Sequence, residues 1–474
     1  MAAEPLRLSG LDTAFLCLER DITPMQLGAL AIFRPSGPVR PEQVVSLLAA
    51  RARQLPRLGR RVQRAWFPPG SATWTDDPEF RPEDHVHAHD LAGQGGDGPA
   101  AELVSDLMAR PLRRDRPLWE FHVISGLDDG RFAVLVKLHH ALADGMAALE
   151  IGLGLLDGFG AGAGGGAGRP GGGAGRNGRS QAGPRVAAPA ASNRRGSMTR
   201  SVLSRPFRLA KDMRCAAGDA VGQMAEMMGM AASVLGSARL PSPGSPLVIT
   251  SSGRRGLGLA RLDLQHVRRI RAHFGGTVND VLLAVLAGAL HDWLGARGHQ
   301  VDGLRLRALI PVSQRARSGD RTRGNQMSGY LCELPVGEPD AGKRLRSIQT
   351  AMGHSKAAGP TRGPGSIPLL ADRLPSALHR VAAPMAGQVA SLLFDILVTS
   401  VPVPRIPLRL DGADLEELFP IAPLAPGHAL GVALSCHRGT AYIGLHADRD
   451  ALPDVQGLAD AIPRSAAMLD QVSA

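Results

Sequence analysis

A chain of 474 residues with 44% hydrophobic side chains is long enough for two or more globular domains with large cores. Its four cysteines, Cys17, Cys215, Cys332 and Cys436, lie far apart with no C-x-x-C pair, which argues against a zinc site or a disulfide framework and fits a reducing cytoplasm. The formal net charge of +11 is a property of one segment: between Asp157 and Asp212 there are ten basic residues and no acidic one. Those arginines have almost no aromatic partners, so a nucleic-acid platform is not expected. The start, Met1-Ala2-Ala3-Glu4-Pro5, lacks the basic and apolar regions of a signal peptide. The longest apolar candidate, 281–290, is about half the ~18–20 residues that span a bilayer.

In chain order, residues 27–33 are predicted as a strand and 42–55 as an amphipathic helix started by Pro41. Residues 100–109 are expected to be helical. Strands are predicted at 121–124 and 132–138, joined by the turn Asp128-Asp129-Gly130, followed by a helix at 146–156. A composition break at 158–199, rich in Gly, Ala, Arg, Pro and Ser, reads as a flexible linker. Beyond it lies a helical region, 198–240, carrying Met213, Met224, Met227, Met228 and Met230. Such methionines pack irregular apolar partners: another helix, an acyl chain or a membrane. A helix is expected at 277–293, strands at 306–311, 392–399, 428–437 and 439–445, and a closing helix at 454–470. Alternating elements on both sides of a linker predict a two-domain α/β protein with domains 1–157 and 200–474.

The chemistry concentrates in His139-His140-Ala141-Leu142-Ala143-Asp144-Gly145, where the apolar run 132–138 stops. An imidazole can take a proton from an alcohol and later return it. Neighbouring strand residues face opposite sides, so one histidine faces a given cleft. His140, at the handover to the loop, is the expected base, with His139 packed beneath it. Asp144 is a second catalytic acid or, more in keeping with its place, a scaffold for the turn. Gly145 is expected to permit a tight turn. No G-x-S-x-G nucleophile elbow occurs, which favours direct attack by a substrate hydroxyl over a covalent acyl-enzyme. His85, His87 and His89 alternate as if on one strand face. Without a downstream ligand motif they read as a solvated edge, and no metal is assigned. Asn279-Asp280, after Gly275-Gly276-Thr277-Val278, reads as helix capping, and Pro117-Leu118-Trp119-Glu120 as a strand start.

Taken in order, these pieces resemble the bacterial wax ester synthase/diacylglycerol acyltransferase family. The opening Leu8-Ser9-Gly10-Leu11-Asp12-Thr13-Ala14-Phe15-Leu16, then Pro24-Met25, is similar to the family's start. Arg116 to Glu120 matches its PLW element, His139 to Gly145 its HHxxxDG motif and Thr277 to Val281 its ND motif. Pro311-Val312-Ser313, Gly324-Asn325 and Ala447-Asp448-Arg449-Asp450 resemble later signatures. The family's Asn-Val-Pro-Gly-Pro run is replaced by Thr399-Ser400-Val401-Pro402-Val403-Pro404. The resemblance implies two chloramphenicol acetyltransferase-like α/β domains with the active site in a tunnel between them. It implies acyl-CoA as co-substrate, no further cofactor, and diacylglycerol or a long-chain alcohol as acceptor. It implies His140 as base, Asp144 organising the motif, and Pro117, Leu118, Trp119, Gly145, Asn279 and Asp280 as substrate-binding or structural residues. A cytoplasmic protein, peripheral on the inner face of the plasma membrane or on lipid droplets, is expected. Two other readings use the same residues. His139 and Asp144 also fit the HxxxxD spacing of glycerol-phosphate acyltransferases, and the altered run and basic linker would suit a degenerate, lipid-binding relative.

Overall fold

The computed structural model describes residues 6–64, 72–92, 95–159, 245–313, 327–358 and 393–472. Most of the 158–199 linker, the methionine-rich region 198–240 and Gly324-Asn325 lie outside the described residues.

Helix α1 (Gly10–Leu18) starts at a capping box in which Ser9 and Asp12 bond each other's backbone N–H. Strand β2 (Gln26–Arg34) is buried along almost its whole length, because both its faces are covered. Helix α2 (Pro41–Arg53) starts at Pro41, as its sequence predicts. Strand β1 (Leu6–Arg7) joins β3 (Arg60–Arg64) and β4 (Ala72–Asp76) in a small sheet. Next come β5 (Val86–Asp90), α3 (Asp97–Ala109), β6 (Trp119–Ser125), β7 (Phe132–His139) and α4 (Gly145–Gly154).

The second half opens with β8 (Arg255–Asp263) and α5 (Leu264–Phe274), neither of them marked by a sequence expectation. Gly275 and Gly276, at φ +73° and +80°, turn the chain straight into α6 (Val278–Gly295). By length and composition α6 could cross a membrane, but it is packed into the core of this half, continuously buried from Asp280 to Leu290. There follow β9 (Leu306–Ser313), β10 (Met327–Leu334), α7 (Ala341–Ala358), β11 (Ile396–Val401), β12 (Arg409–Leu410), β13 (Ala413–Ile421), β14 (Leu430–His437), β15 (Thr440–Asp448) and α8 (Val455–Gln471).

Two six-stranded sheets carry the fold, in the orders β12-β13-β2-β7-β6-β5 and β10-β9-β11-β14-β15-β8. The first contains two strands from the second half of the chain. A sequence boundary at 200 places residues 409–421 in the C-terminal domain, whereas β13 pairs antiparallel with β2, from Ile421 opposite Gly28 to Asp414 opposite Arg34. Pro402 and Pro404 explain where β11 ends, since neither can donate to a ladder. Val403, between them, is buried in the core of the first half. This run holds no positive φ, so the glycine missing from the family pattern is not needed here.

Side chains of the second sheet fasten β13 by its carbonyls. Ser435 Oγ donates to Leu418 O at 2.6 Å and Tyr442 OH to Glu416 O at 2.8 Å. Imidazoles of His437 and His446 bond Leu415 O and Ala422 O. Arg261 on β8 completes the join, with Asp97 of α3 at 2.6 Å and Glu417 of β13 at 2.5 Å. One hydrophobic core is shared across the sheets: Leu30, Ile32, Val104 and Leu135 pack with Leu257, Leu259, Phe419 and Tyr442. Burial of each large apolar side chain contributes roughly 1.5–3 kcal/mol, so the two halves stabilise one another.

Candidate active site

Strand β7 ends at His139 because its neighbours end there. His139 N–H donates to Leu118 O at 3.0 Å on one side, and Gln26 pairs with His139 on the other. His140 N–H donates to Met25 O at 2.8 Å. Both histidines are thus placed by backbone bonds from β2 and β6 before their rings make any contact.

The strand ends at His139, so strand alternation does not govern His140, and both rings meet α1, His139 at its C-cap Glu19 and His140 at Phe15. His139 is fully buried. Its Nδ1 accepts the Ala141 N–H at 3.0 Å, so the ring proton sits on Nε2. Nε2 faces Glu19 Oε1 at 3.3 Å, a long contact whose alignment falls short of a full hydrogen bond. Glu19 Oε1 also accepts the Met25 N–H at 3.1 Å, and its Oε2 takes Arg114 Nη2 at 2.7 Å. Burial works to raise the Glu19 pKa, but His139 and Arg114 outweigh it and hold it at about 2. Glu19 therefore joins α1, the entry to β2 and the segment before β6 behind the histidine pair. Neither Glu19 nor Arg114 belongs to a segment that the sequence singles out. The available signal was a lone carboxylate closing an apolar helix between the two matched opening fragments.

The His140 ring stacks on Phe15, with centroids 4.0 Å apart and planes 24° from parallel. Burial pushes its pKa down to about 4, against a smaller upward pull from Asp144. The imidazole is consequently neutral at physiological pH and can accept a proton.

Asp144 is the N-cap of α4: Oδ1 accepts the Ala147 N–H at 2.8 Å and its carbonyl takes the Ala148 N–H at 2.8 Å. This geometry is that of a scaffold, the second of the two roles its sequence position allowed. The expectation for Gly145 is corrected. It is the first residue of α4, has no positive φ, and a Cβ built on it would meet nothing within 4 Å. The bend is made by the extended backbone of Asp144, at φ −78° and ψ 176°.

Leu118 and Trp119 are fully buried. Trp119 Nε1 donates to Leu58 O at 2.7 Å and its ring stacks on His85, so this pair packs in the core of the first half. Pro117 accepts the Trp119 N–H at 3.0 Å and shapes the entry to β6. Asp280 closes a capping box with Thr277 at the start of α6 and is buried, while Asn279 beside it is exposed. The capping reading of this pair accounts for Asp280.

The three alternating histidines do not share a face. His85 lies in a 3-10 turn, Pro82–His85, where its Nδ1 donates to Trp119 O at 2.8 Å. His87 and His89 sit on edge strand β5, against the buried His122. His122 in turn faces Glu120, which holds the buried Lys137 at 2.9 Å. Among the described residues no group of three His, Cys, Asp or Glu side chains is placed to hold a metal.

Burial of His140 and His446 has a consequence for stability. Each is pushed to about 4, His446 by burial and then by the Arg255 charge, whereas an unfolded histidine titrates near 6.5. Their contribution is complete above pH 6.5 and is lost as pH falls from 6.5 toward 4, because the unfolded chain binds these protons first. At pH 5 the loss is on the order of 2 kcal/mol for each. Urea unfolding should show a lower midpoint at pH 5 than at pH 7, and equal midpoints would refute this account.

Comparison with solved structures defines the class. The fold matches the first condensation domain of the CDA synthetase with a TM-score of 0.56, at 15% identity and over 99% of both chains. It matches the wax ester synthase/diacylglycerol acyltransferase of Marinobacter aquaeolei VT8 with a TM-score of 0.68, at 22% identity over 98% of this chain and 99% of that one. These are two-domain α/β folds of the chloramphenicol acetyltransferase type. Residues 8–282 match the wax ester synthase/diacylglycerol acyltransferase catalytic domain and residues 323–470 the C-terminal domain of the same family, so the chain is an acyltransferase belonging to that family. A probable diacylglycerol O-acyltransferase of Mycobacterium tuberculosis is 31% identical over 469 residues, 98% of this chain and 96% of the relative.

Proposed function

We propose that this acyltransferase moves a long-chain acyl group from acyl-CoA to the hydroxyl of a diacylglycerol or a long-chain alcohol, with His140 as general base. The observation that carries this is the neutral, buried His140 ring, stacked on Phe15 at a strand end held in place by Met25 and, through His139, by Glu19. His140 takes the acceptor's hydroxyl proton as the oxygen attacks the thioester carbonyl carbon. A C–O bond forms, and the tetrahedral intermediate collapses by breaking the C–S bond. The coenzyme A thiolate leaves with the proton that His140 returns. A thiol is far more acidic than an alcohol, which makes it the better leaving group and drives collapse forward. Coenzyme A is thus product and not resident cofactor. Asp144 and His139 act here as positioning residues. Water-insoluble acceptors support a reading of this chain as a cytoplasmic protein peripheral to the inner face of the plasma membrane or to lipid droplets.

The test is purified protein with labelled long-chain acyl-CoA and, in separate arms, diolein, hexadecanol and glycerol 3-phosphate. Triacylglycerol or wax ester is expected in the first two arms and no product in the third. His140→Ala should lower kcat/KM roughly 10²–10⁴-fold, the usual contribution of a general base. Full activity of that variant would exclude His140 as the base.

A further inference from the structure

The loop between α1 and β2 carries both supports of the histidine pair: Glu19 at its start, and Met25, whose carbonyl holds His140 N–H, at its end. Its tip is folded back on itself, with Arg20 and Thr23 exchanging backbone bonds at 3.3 and 2.9 Å. The second half of the chain also holds this tip. Arg255, the first residue of β8, donates from Nη2 to Ile22 O at 2.6 Å across 233 residues of sequence. Its guanidinium is almost wholly buried and stands 3.6 Å from the equally buried carboxylate of Asp448, its register partner on β15. Asp448 is itself fixed by Ser252, which bonds it from N at 2.7 Å and from Oγ at 2.8 Å. On the other side Gly253, at φ +86°, lets the backbone close against Ile22; a Cβ there would stand 3.2 Å from Ile22 Cγ2.

From this we infer that Arg255, held by Asp448, is a positioning residue for catalysis: it anchors the Ile22 tip and so fixes the loop that aligns His139 and His140. The second half of the chain thereby controls the geometry of a base that lies wholly in the first. This rests on the assignment of His140 as base. A buried arginine is suited to the task because its planar fork can serve a carbonyl and a carboxylate together, which a lysine does less well.

The experiment compares Arg255→Met, Arg255→Lys and Gly253→Ala with wild type and with His140→Ala, using the full chain, long-chain acyl-CoA and diolein. Arg255→Met is expected to lower kcat roughly tenfold or more with KM for acyl-CoA little changed, because small displacements of a catalytic group are costly. Loosening the loop also admits water to His140, whose protonation Asp144 favours and His139 opposes. The acid limb of the kcat/KM profile should then move upward from its wild-type position toward pH 6.5. Arg255→Lys should recover most of the rate and return the limb, while Gly253→Ala, which pushes the tip from the other side, should move kcat and the limb as Arg255→Met does. If Arg255→Met does not fold, the other two variants decide alone. Wild-type kcat in folded Arg255→Met or in Gly253→Ala, or a lower kcat in them with an unmoved acid limb, would overturn the inference while His140→Ala remains inactive. An active His140→Ala would instead overturn the assignment of the base.

Discussion

Glu19→Ala is expected to cost about 2–5 kcal/mol of stability and roughly 10²-fold in kcat. The carboxylate takes bonds or contacts from Met25 N, His139 Nε2 and Arg114. Arg114 is about half exposed and finds water when its partner is removed. Met25 and His139 are buried and do not, so the Met25 N–H is left unsatisfied and the His139 ring loses the carboxylate it faces. The catalytic loss follows from geometry, since the same carboxylate ties the start of β2 to the end of β7. Glu19→Gln keeps one acceptor oxygen and should fall between the two. Because Glu19 is held at about 2, below the 4.5 of an ordinary glutamate, its contribution in wild type is complete above pH 4.5 and is lost as pH falls from 4.5 to about 2. Acid destabilisation near pH 5 therefore belongs to the histidines. Denaturant unfolding and acyl transfer measured on the same preparations check both effects, and a Glu19→Ala protein with wild-type kcat would show that the carboxylate does not align the motif.

Gly444→Ala is expected to destabilise the fold by ~3 kcal/mol, the upper end of what overpacking costs. A Cβ there would lie 2.1 Å from Pro420 O and 3.2 Å from its carbonyl carbon. Neither side can yield cheaply. Gly444 is paired with Ala433 and Leu259 in the second sheet, and Pro420 with Ala29 in the first. The added methyl must push the sheets apart at the core they share. Gly145→Ala is the control: its Cβ has open space, and alanine is a better helix former than glycine. Thermal melting should separate the two variants clearly. A Gly444→Ala protein that melts with wild type would mean that the sheets do not meet there.

Much of the local structure was legible. Pro41 marked the start of α2, the apolar run to Leu138 marked β7, and Thr277 with Asp280 marked the cap of α6. The handover from strand to loop at His140 needed only the end of the apolar run. Less legible were groups whose meaning depends on distant partners. Asp144 could be acid or scaffold on sequence alone, and the structure makes it the N-cap of α4 through its bond to Ala147 N–H. His85 continued an alternating pattern, but a 3-10 turn removes it from the strand and stacks it on Trp119. Gly145 is expected from sequence to permit a tight turn, but the chain bends at the extended backbone of Asp144.

The sequence by itself determined the family, the two-domain α/β class and the identity of the histidine pair, because ordered motifs and short-range periodicity are properties of neighbouring residues. Only the tertiary structure decided which groups hold that pair. Glu19 and Arg114 are 95 residues apart, and Arg255 and Ile22 are 233 apart. It alone showed that β13 leaves the second half of the chain to complete the sheet of the first. Pairings over such separations leave no local trace: they are selected by burial of both faces of β2 and by satisfaction of buried carbonyls and charges, which come into being only when the sheets meet.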